Sequence, residues 1–394
     1  MSDTRVALIS GPRQAGKTTL VKKLTGKQPY VTLDDESVYQ AARSDPVSFI
    51  RQFDRVTIDE IQRVPDLIRQ IKISVDDDQR AGRFLLTGSS NILTVPTVSE
   101  SLAGRMAISE LLPLSQVEIE RRQVNLLDTL FEISDASISF GPYDASTLVD
   151  RVLTGGYPEM KKRLMQSRQW AWADDYVRTL LSRDIRDIIH AHQLKDISQL
   201  LRASAVQSAQ LVVYSNIARS LRLSVPTVQR YIRTLEQMYL VRFLPAWHRN
   251  ALKRLIRTPK LHFLDSGLLS AVRRITHDRL MQDRRTFGFL LETFIFSELL
   301  KLATCSDRTY DFFHYRDKDK VEVDFVIEQY SKGLIGVEVK ASATVRENDF
   351  KGLKRLQSVT GTSFVCGCVF YAGDNVLWFG DKLLAVPVPI LWTC

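Results

Sequence analysis

Long apolar runs, a cysteine framework and internal repeats are all missing from this chain of 394 residues, and each absence removes a class of protein. No uninterrupted apolar stretch approaches the ~20 residues that a helix needs to cross a bilayer. The densest, Phe287–Leu300, is broken by Glu292 and Glu298, which makes it a buried helix and not an anchor. No cationic segment followed by an apolar core and a small-residue cleavage site opens the chain, so a cytoplasmic location is expected and secretion is not. Four cysteines, Cys305, Cys366, Cys368 and Cys394, are too few and too oddly spaced for a disulfide framework or a four-ligand zinc site. The Cys366-Gly-Cys368 pair lies in an apolar strand and reads as two buried thiols. The histidines, His190 and His192 among them, show no metal-ligand spacing. Proline and glycine are scattered and no low-complexity segment marks a linker.

What is present is ordinary globular composition, 44% hydrophobic and 25% charged, in a chain long enough for two or three cores. The net charge of +9, from 54 Lys and Arg against 45 Asp and Glu, favours a polyanionic partner such as DNA. From Arg5 to about Leu114, short apolar runs alternate with helical periodicity, the pattern of an α/β domain with a mostly parallel sheet. Its strands are expected at Val6–Ser10, Tyr30–Leu33, Arg55–Ile58, Arg83–Thr87 and Ala107–Leu112. Amphipathic helical runs such as Trp172–Ile189 and Ser198–Ala209 then dominate as far as about Ala246, and strand-like runs return after Leu255. The expected division is therefore 1–117, 118–254 and 255–394.

The first domain opens with a complete phosphate-binding loop, Gly11-Pro12-Arg13-Gln14-Ala15-Gly16-Lys17-Thr18, followed by Thr19 on the ensuing helix. Such a loop works because backbone N–H groups, freed by glycines and backed by a helix N-terminus, converge on phosphate oxygens. Lys17 is placed for the β- and γ-phosphates of ATP and Thr18 for Mg²⁺. The apolar run Val56-Thr57-Ile58 ends in Asp59-Glu60, with Asp59 expected to hold Mg²⁺ through its water shell and Glu60 to polarise the attacking water. One strand-like run lies between these two elements in sequence, so their strands need not be neighbours. Phe84–Asn91 ends in small polar groups, of which Thr87 is the first choice and Ser89 the second for sensing the γ-phosphate or orienting water. Arg105 follows a glycine before a strand, where it reads either as a surface residue or as a finger acting in trans on a neighbouring subunit, which implies a homo-oligomer.

In the middle segment a short helix over Asn216–Leu221, a tight connection at Arg222-Leu223 and a second helix capped by Ser224 with Pro226 in its first turn form a helix-turn-helix signature. Val228, Ile232, Leu235 and Tyr239 make its inward stripe, while Arg230, Arg233 and Gln237 share a face suited to DNA or to a protein partner. Val241–Leu244 reads as a strand, as in a winged variant.

Near the end, Asp324 stands in one strand-like run, and Glu338-Val339-Lys340 ends another, with Glu338 and Lys340 on one face by period-two alternation. If the strands pair, two carboxylates and an ammonium meet, the equipment of metal-assisted phosphodiester cleavage, with Asp324 and Glu338 as ligands. Glu292 on the preceding helix is the candidate third carboxylate, and Glu298 points elsewhere because six residues turn a helix by ~240°. The alternative is a buried salt-bridge network in which Lys340 serves as the internal counter-ion.

These stretches, with Ser101–Arg105, Gly155–Glu159, Ser182–Asp184 and Leu264–Leu268, give the chain a resemblance that covers nearly its whole length. It resembles the prokaryotic AAA-type P-loop ATPases that carry a C-terminal domain of unknown function similar in fold to restriction endonucleases. The resemblance implies an α/β ATPase domain, a helical and winged-helix middle domain, and an α+β end domain of the PD-(D/E)xK kind with Glu292, Asp324, Glu338 and Lys340 as its nuclease-like set. Val323 departs from that pattern, standing where the motif has proline. Two functions follow as expectations: a DNA-associated, Mg²⁺-dependent ATPase that gates a nuclease-like domain, or an ATP-switched interaction module with an inactive one.

Overall fold

The computed structural model describes residues 3–26, 28–88, 102, 104–133, 147–183, 194–255 and 257–393. Two compact units emerge, Met1–Pro113 with Gln237–Tyr239, and Leu114–Glu236 with Leu240–Cys394.

The first unit is built on five strands, β1 (Val6–Ser10), β2 (Tyr30–Thr32), β3 (Val56–Asp59), β4 (Phe84–Gly88) and β5 (Met106–Glu110), in the order β2-β3-β4-β1-β5. All pairings are parallel, and β4 lies between the loop strand β1 and the carboxylate strand β3. Period-two alternation splits the side chains between two faces. Val6, Leu8, Val56, Ile58, Phe84 and Leu86 pack with Leu67, Ile68, Ile71 and Val75 of the helix Asp66–Asp77. Ile9 and Leu85 pack on the other face with Val21 of the helix Lys17–Thr25. Burial on both faces fixes the register, and that register brings the C-terminal ends of β1, β3 and β4 to one edge.

In the second unit the helix Leu194–Val206 leads to β6 (Gln210–Leu211), then the helices Tyr214–Leu221 and Val225–Gln237, then β7 (Val241–Leu244) and β8 (Lys260–Phe263). The three strands form an antiparallel sheet in the order β6-β8-β7. The boundary expected after residue 254 therefore falls inside this sheet, because β8 pairs with both earlier strands. The helix expected over Ser198–Ala209 starts and stops earlier, since Ala209 takes a positive φ of 64° and Gln210 pairs with Leu261. The helix expected over Trp172–Ile189 is found at Gln166–Arg183, and Asp184 and residues 185–193, with His190 and His192, lie outside the described residues.

A six-stranded sheet completes this unit: β9 (Tyr310–Arg316), β10 (Glu322–Gln329), β11 (Gly333–Lys340), β12 (Phe364–Tyr371), β13 (Leu377–Trp378) and β14 (Leu383–Pro387), in the order β13-β14-β12-β11-β10-β9. Its β9-β10-β11 half is antiparallel, and β11, β12 and β14 run parallel. The helix Arg284–Thr304 is apolar nearly all round and accordingly buried along most of its length. Cys366 and Cys368 are buried side by side in β12, with sulfurs 3.9 Å apart.

Two of the stretches that carry the resemblance meet here for a structural reason. Asp265, almost fully buried, accepts from Leu268 N at 2.9 Å, capping the helix Ser266–Val272, and from Gly156 N at 2.7 Å. Gly155 takes a φ of 66°, and a Cβ there would stand 2.3 Å from the Asp265 carboxylate. Glycine is thus required where the two segments close on each other.

Candidate functional site

The loop after β1 is shaped by left-handed backbone at Gly11, Gln14 and Gly16, with φ of 147°, 62° and 106°. A Cβ on Gly11 would lie 2.1 Å from Leu111 O, so no larger residue fits this entry to the loop. Lys17, the first residue of its helix, is buried, and its Nζ donates to Gly11 O at 2.9 Å and Pro12 O at 2.8 Å. The ammonium is thus held over the loop, where the carbonyls stand in for the phosphate oxygens such a loop takes.

Asp59 is the hub of the site. It accepts from Thr18 Oγ1 at 2.9 Å and from Tyr30 OH at 2.7 Å on Oδ2, and from Thr87 Oγ1 on Oδ1. Thr87, fully buried, also accepts from Glu60 N at 3.1 Å, so one hydroxyl joins both residues of the acidic pair. Glu60 is held at φ 60°, ψ 44°, left-handed backbone that a non-glycine residue adopts at a cost, and its carboxylate accepts from Gln62 Nε2. These bonds join Thr18, Asp59, Glu60 and Thr87, with Lys17 the neighbour of Thr18 in the chain. Thr87 differs in its employment, because its hydroxyl hydrogen is committed to Asp59. Tyr30 escaped sequence reasoning, since a tyrosine opening a strand carries no motif. Burial and the bond to Asp59 push its phenol well above the usual range, and Lys22 Nζ stands 4.7 Å from its ring centre. Ser89 lies outside the described residues.

Arg105 is not brought to the loop. It immediately precedes β5, whose first residue pairs with Val6, whereas the loop follows the other end of β1. There it forms an ion pair with Asp76 in the same chain, Nε to Oδ1 at 2.5 Å and Nη2 to Oδ2 at 3.1 Å. Within the chain, the pair with Asp76 is the contact that holds it.

In the second unit, β10 and β11 do pair, antiparallel, with Phe325 opposite Val337. Asp324 and Glu338 consequently stand beside each other, joined by Glu292 from the helix Arg284–Thr304, along a cavity of about 540 Å³ also lined by Arg285, Lys340 and Asp349. The unforeseen member is Lys260 of β8, whose buried Nζ lies 2.8 Å from Glu292 Oε1 and 3.0 Å from Asp324 Oδ1. Asp324 Oδ2 accepts from Val339 N at 3.0 Å. Lys340 Nζ is 3.9 Å from Glu338 Oε2 and 3.9 Å from Asp349 Oδ1, within ion-pair range but too far for a hydrogen bond, so Lys340 is joined as a counter-ion by Lys260, which holds Glu292 and Asp324 directly. Nothing in the spacing of Lys260 announced this, because it arrives from another sheet.

Burial and the Asp324 charge raise the Glu292 carboxyl to about 8, and the same two causes raise Glu338 well above the carboxylate range. Burial also opposes the Asp324 charge, but Lys260 outweighs it and holds that carboxyl low. The ammonium is itself stabilised by both carboxylates against its burial. The cluster therefore favours the charged form at Asp324, beside Lys260, and the neutral form at Glu292 and Glu338. Among the described residues no group of three or more His, Cys, Asp or Glu is arranged to hold a metal ion. Glu298, on the same helix as Glu292, pairs with Lys301 at 2.8 Å and accepts from Gln116 N at 2.7 Å, away from the cluster.

On the helix Val225–Gln237, Val228, Ile232 and Leu235 are fully buried, and Arg230 and Arg233 are exposed. Tyr231, expected on neither face, is buried as well.

Comparison with known proteins finds three family models on separate stretches of the chain. Residues 3–120 match the family described as an AAA domain, residues 145–279 a domain of unknown function (DUF8612), and residues 287–391 a domain of unknown function (DUF4143). The N-terminal parallel sheet with its loop is thus a P-loop domain of the AAA type. An uncharacterized protein of Mycobacterium tuberculosis is 29% identical over 394 residues, covering 98% of this chain and 81% of the relative. Another, of Methanocaldococcus jannaschii, is 22% identical over 376 residues, covering 89% and 78%. A cytidylate kinase of Streptococcus suis is 23% identical over 118 residues, 30% of this chain and 50% of the kinase. No described helix is long and apolar enough to cross a membrane.

Proposed function

We propose that this chain is a Mg²⁺-dependent ATPase that engages DNA through the helix pair Tyr214–Leu221 and Val225–Gln237, its nucleotide state governing a nuclease-like end domain. The observation that carries the ATPase reading is the convergence of Thr18, Thr87 and Tyr30 on Asp59, with Glu60 anchored to the same Thr87 hydroxyl. The residues fit a nucleotide phosphate with its metal: the amides of Gly11 to Thr19 and the Lys17 ammonium would hold phosphate oxygens, and Thr18 and Asp59 would hold the cation. Bound magnesium supplies charge neutralisation for the phosphates. Glu60 orients and polarises water, and Thr87 positions both acidic residues. A carboxylate next to the metal-binding aspartate suits water as the acceptor, which favours hydrolysis over the transfer that the kinase relative's name describes. Phosphate release from ATP that requires Mg²⁺ is the test.

The DNA half rests on topology and charge. Helix, short strand, two helices and two antiparallel strands are the order of a winged helix, and the segment from Leu240 to Leu264 holds six lysines and arginines with no carboxylate. Exchange of both Arg230 and Arg233 for alanine should weaken DNA binding and lower the slope of log affinity against log salt by about two, one counterion per phosphate contact. Fluorescence anisotropy across a salt series measures this, and an unchanged slope moves the contact elsewhere. The observation favouring a second reading, an ATP-switched interaction module whose end domain cuts nothing, is Lys260 lodged among the carboxylates.

A further inference from the structure

We propose that Lys260 is a built-in cation that closes the Glu292, Asp324 and Glu338 cluster to divalent metal, so that the cluster takes a metal only when this amine is withdrawn. The inference rests on the nuclease-like reading of that cluster and adds its regulation.

One cation already bridges an oxygen of Glu292 and an oxygen of Asp324. A magnesium or manganese ion bridging Glu292 and Asp324 would need to approach their oxygens to about 2.0–2.2 Å. Lys260 Nζ already lies 2.8 Å from Glu292 Oε1 and 3.0 Å from Asp324 Oδ1, the two oxygens such an ion would bridge. An ammonium and a divalent ion cannot share that space, and side by side their like charges repel. The second Asp324 oxygen is engaged by Val339 N. Three buried carboxyl groups without a cation would be costly, and Lys260 removes that cost without a metal. Glu292, Asp324 and Glu338 remain the candidate ligands, and the lysine occupies the first two.

Where the lysine comes from gives the lock a handle. Glu292 belongs to the helix Arg284–Thr304 and Asp324 to β10, but Lys260 is the first residue of β8, in the sheet that carries the helix pair. The ammonium is thus delivered by the element proposed to read DNA, and the carboxylates by the end domain. Beside it stands His262, fully buried, with neither ring nitrogen hydrogen-bonded, its Nε2 3.9 Å from Glu292 Oε1 and its ring 4.5 Å from that of Phe296.

The test is Mn²⁺ binding to the full chain without nucleotide, followed by the loss of the free-ion electron paramagnetic resonance signal. An Asp59→Asn background silences the cation position of the nucleotide site. In that background Lys260→Met should bind one Mn²⁺ per chain at least about tenfold more tightly than the parent, the smallest step expected from removing an adjacent positive charge. Adding Asp324→Asn should abolish the gain. If Lys260→Met does not fold, Lys260→Met with Glu292→Gln removes one charge of each sign, and its binding to Asp324 and Glu338 decides the matter in the same way. Equal, Asp324-dependent binding by parent and variant overturns the lock and leaves the nuclease-like reading standing. Binding by neither overturns both.

Discussion

Exchange of Glu60 for glutamine should lower ATP turnover by about 10²-fold or more while nucleotide binding is retained. The reason lies in what the substitution leaves alone. Asp59 keeps its bonds to Thr18, Tyr30 and Thr87, so the cation position is unchanged. The residue 60 backbone keeps its N–H bond to Thr87, in which the carboxylate takes no part. Glutamine preserves the shape of the side chain and loses only the negative charge that draws a proton from water. Steady-state phosphate release alongside equilibrium binding of a fluorescent ATP analogue separates the two effects. Undiminished turnover removes Glu60 from the mechanism.

Lys17→Ala should act one step earlier, on binding itself. The Lys17 ammonium makes two bonds to loop carbonyls, at 2.9 and 2.8 Å, in a buried position. Phosphate oxygens are better acceptors than these carbonyls, and charge-assisted bonds contribute roughly 1.5–3 kcal/mol each. Loss of two such bonds weakens ATP binding by roughly 10²–10⁴-fold. Isothermal titration with ATP and Mg²⁺ checks this. Affinity within the error of the wild type would show that the loop holds phosphate without its lysine.

The nucleotide site was legible because its chemistry is written in contiguous residues. Gly11 to Thr18 and Val56 to Glu60 each carry an apolar strand and the groups at its end, and a parallel sheet brings such ends to one edge without further information. The pairing of Asp324 with Glu338 was legible for a similar reason, since two short strands joined by a tight turn leave few alternatives. What escaped were long-range partners. Tyr30 meets Asp59 across the sheet, and Lys260 meets Asp324 from another sheet, 64 residues earlier in sequence. Neither lies at a spacing that any motif specifies. The place of Arg105 was not legible either: a glycine-preceded position before a strand does not say that the residue lies at the end of β5 away from its own loop, beside Asp76. The domain boundary near residue 254 was misplaced because β6 and β8 are too short for alternation to show that they pair.

The most direct measurement is inorganic phosphate released from ATP by the full-length chain in Mg²⁺, with no phosphoryl acceptor added and with Lys17→Ala as the blank. Hydrolysis at the site centred on Asp59 requires phosphate to accumulate through many turnovers, to stop when the cation is chelated, and to stay at background in the Lys17→Ala chain. Failure to release phosphate beyond one equivalent per chain at saturating ATP, with DNA present or absent, would contradict it.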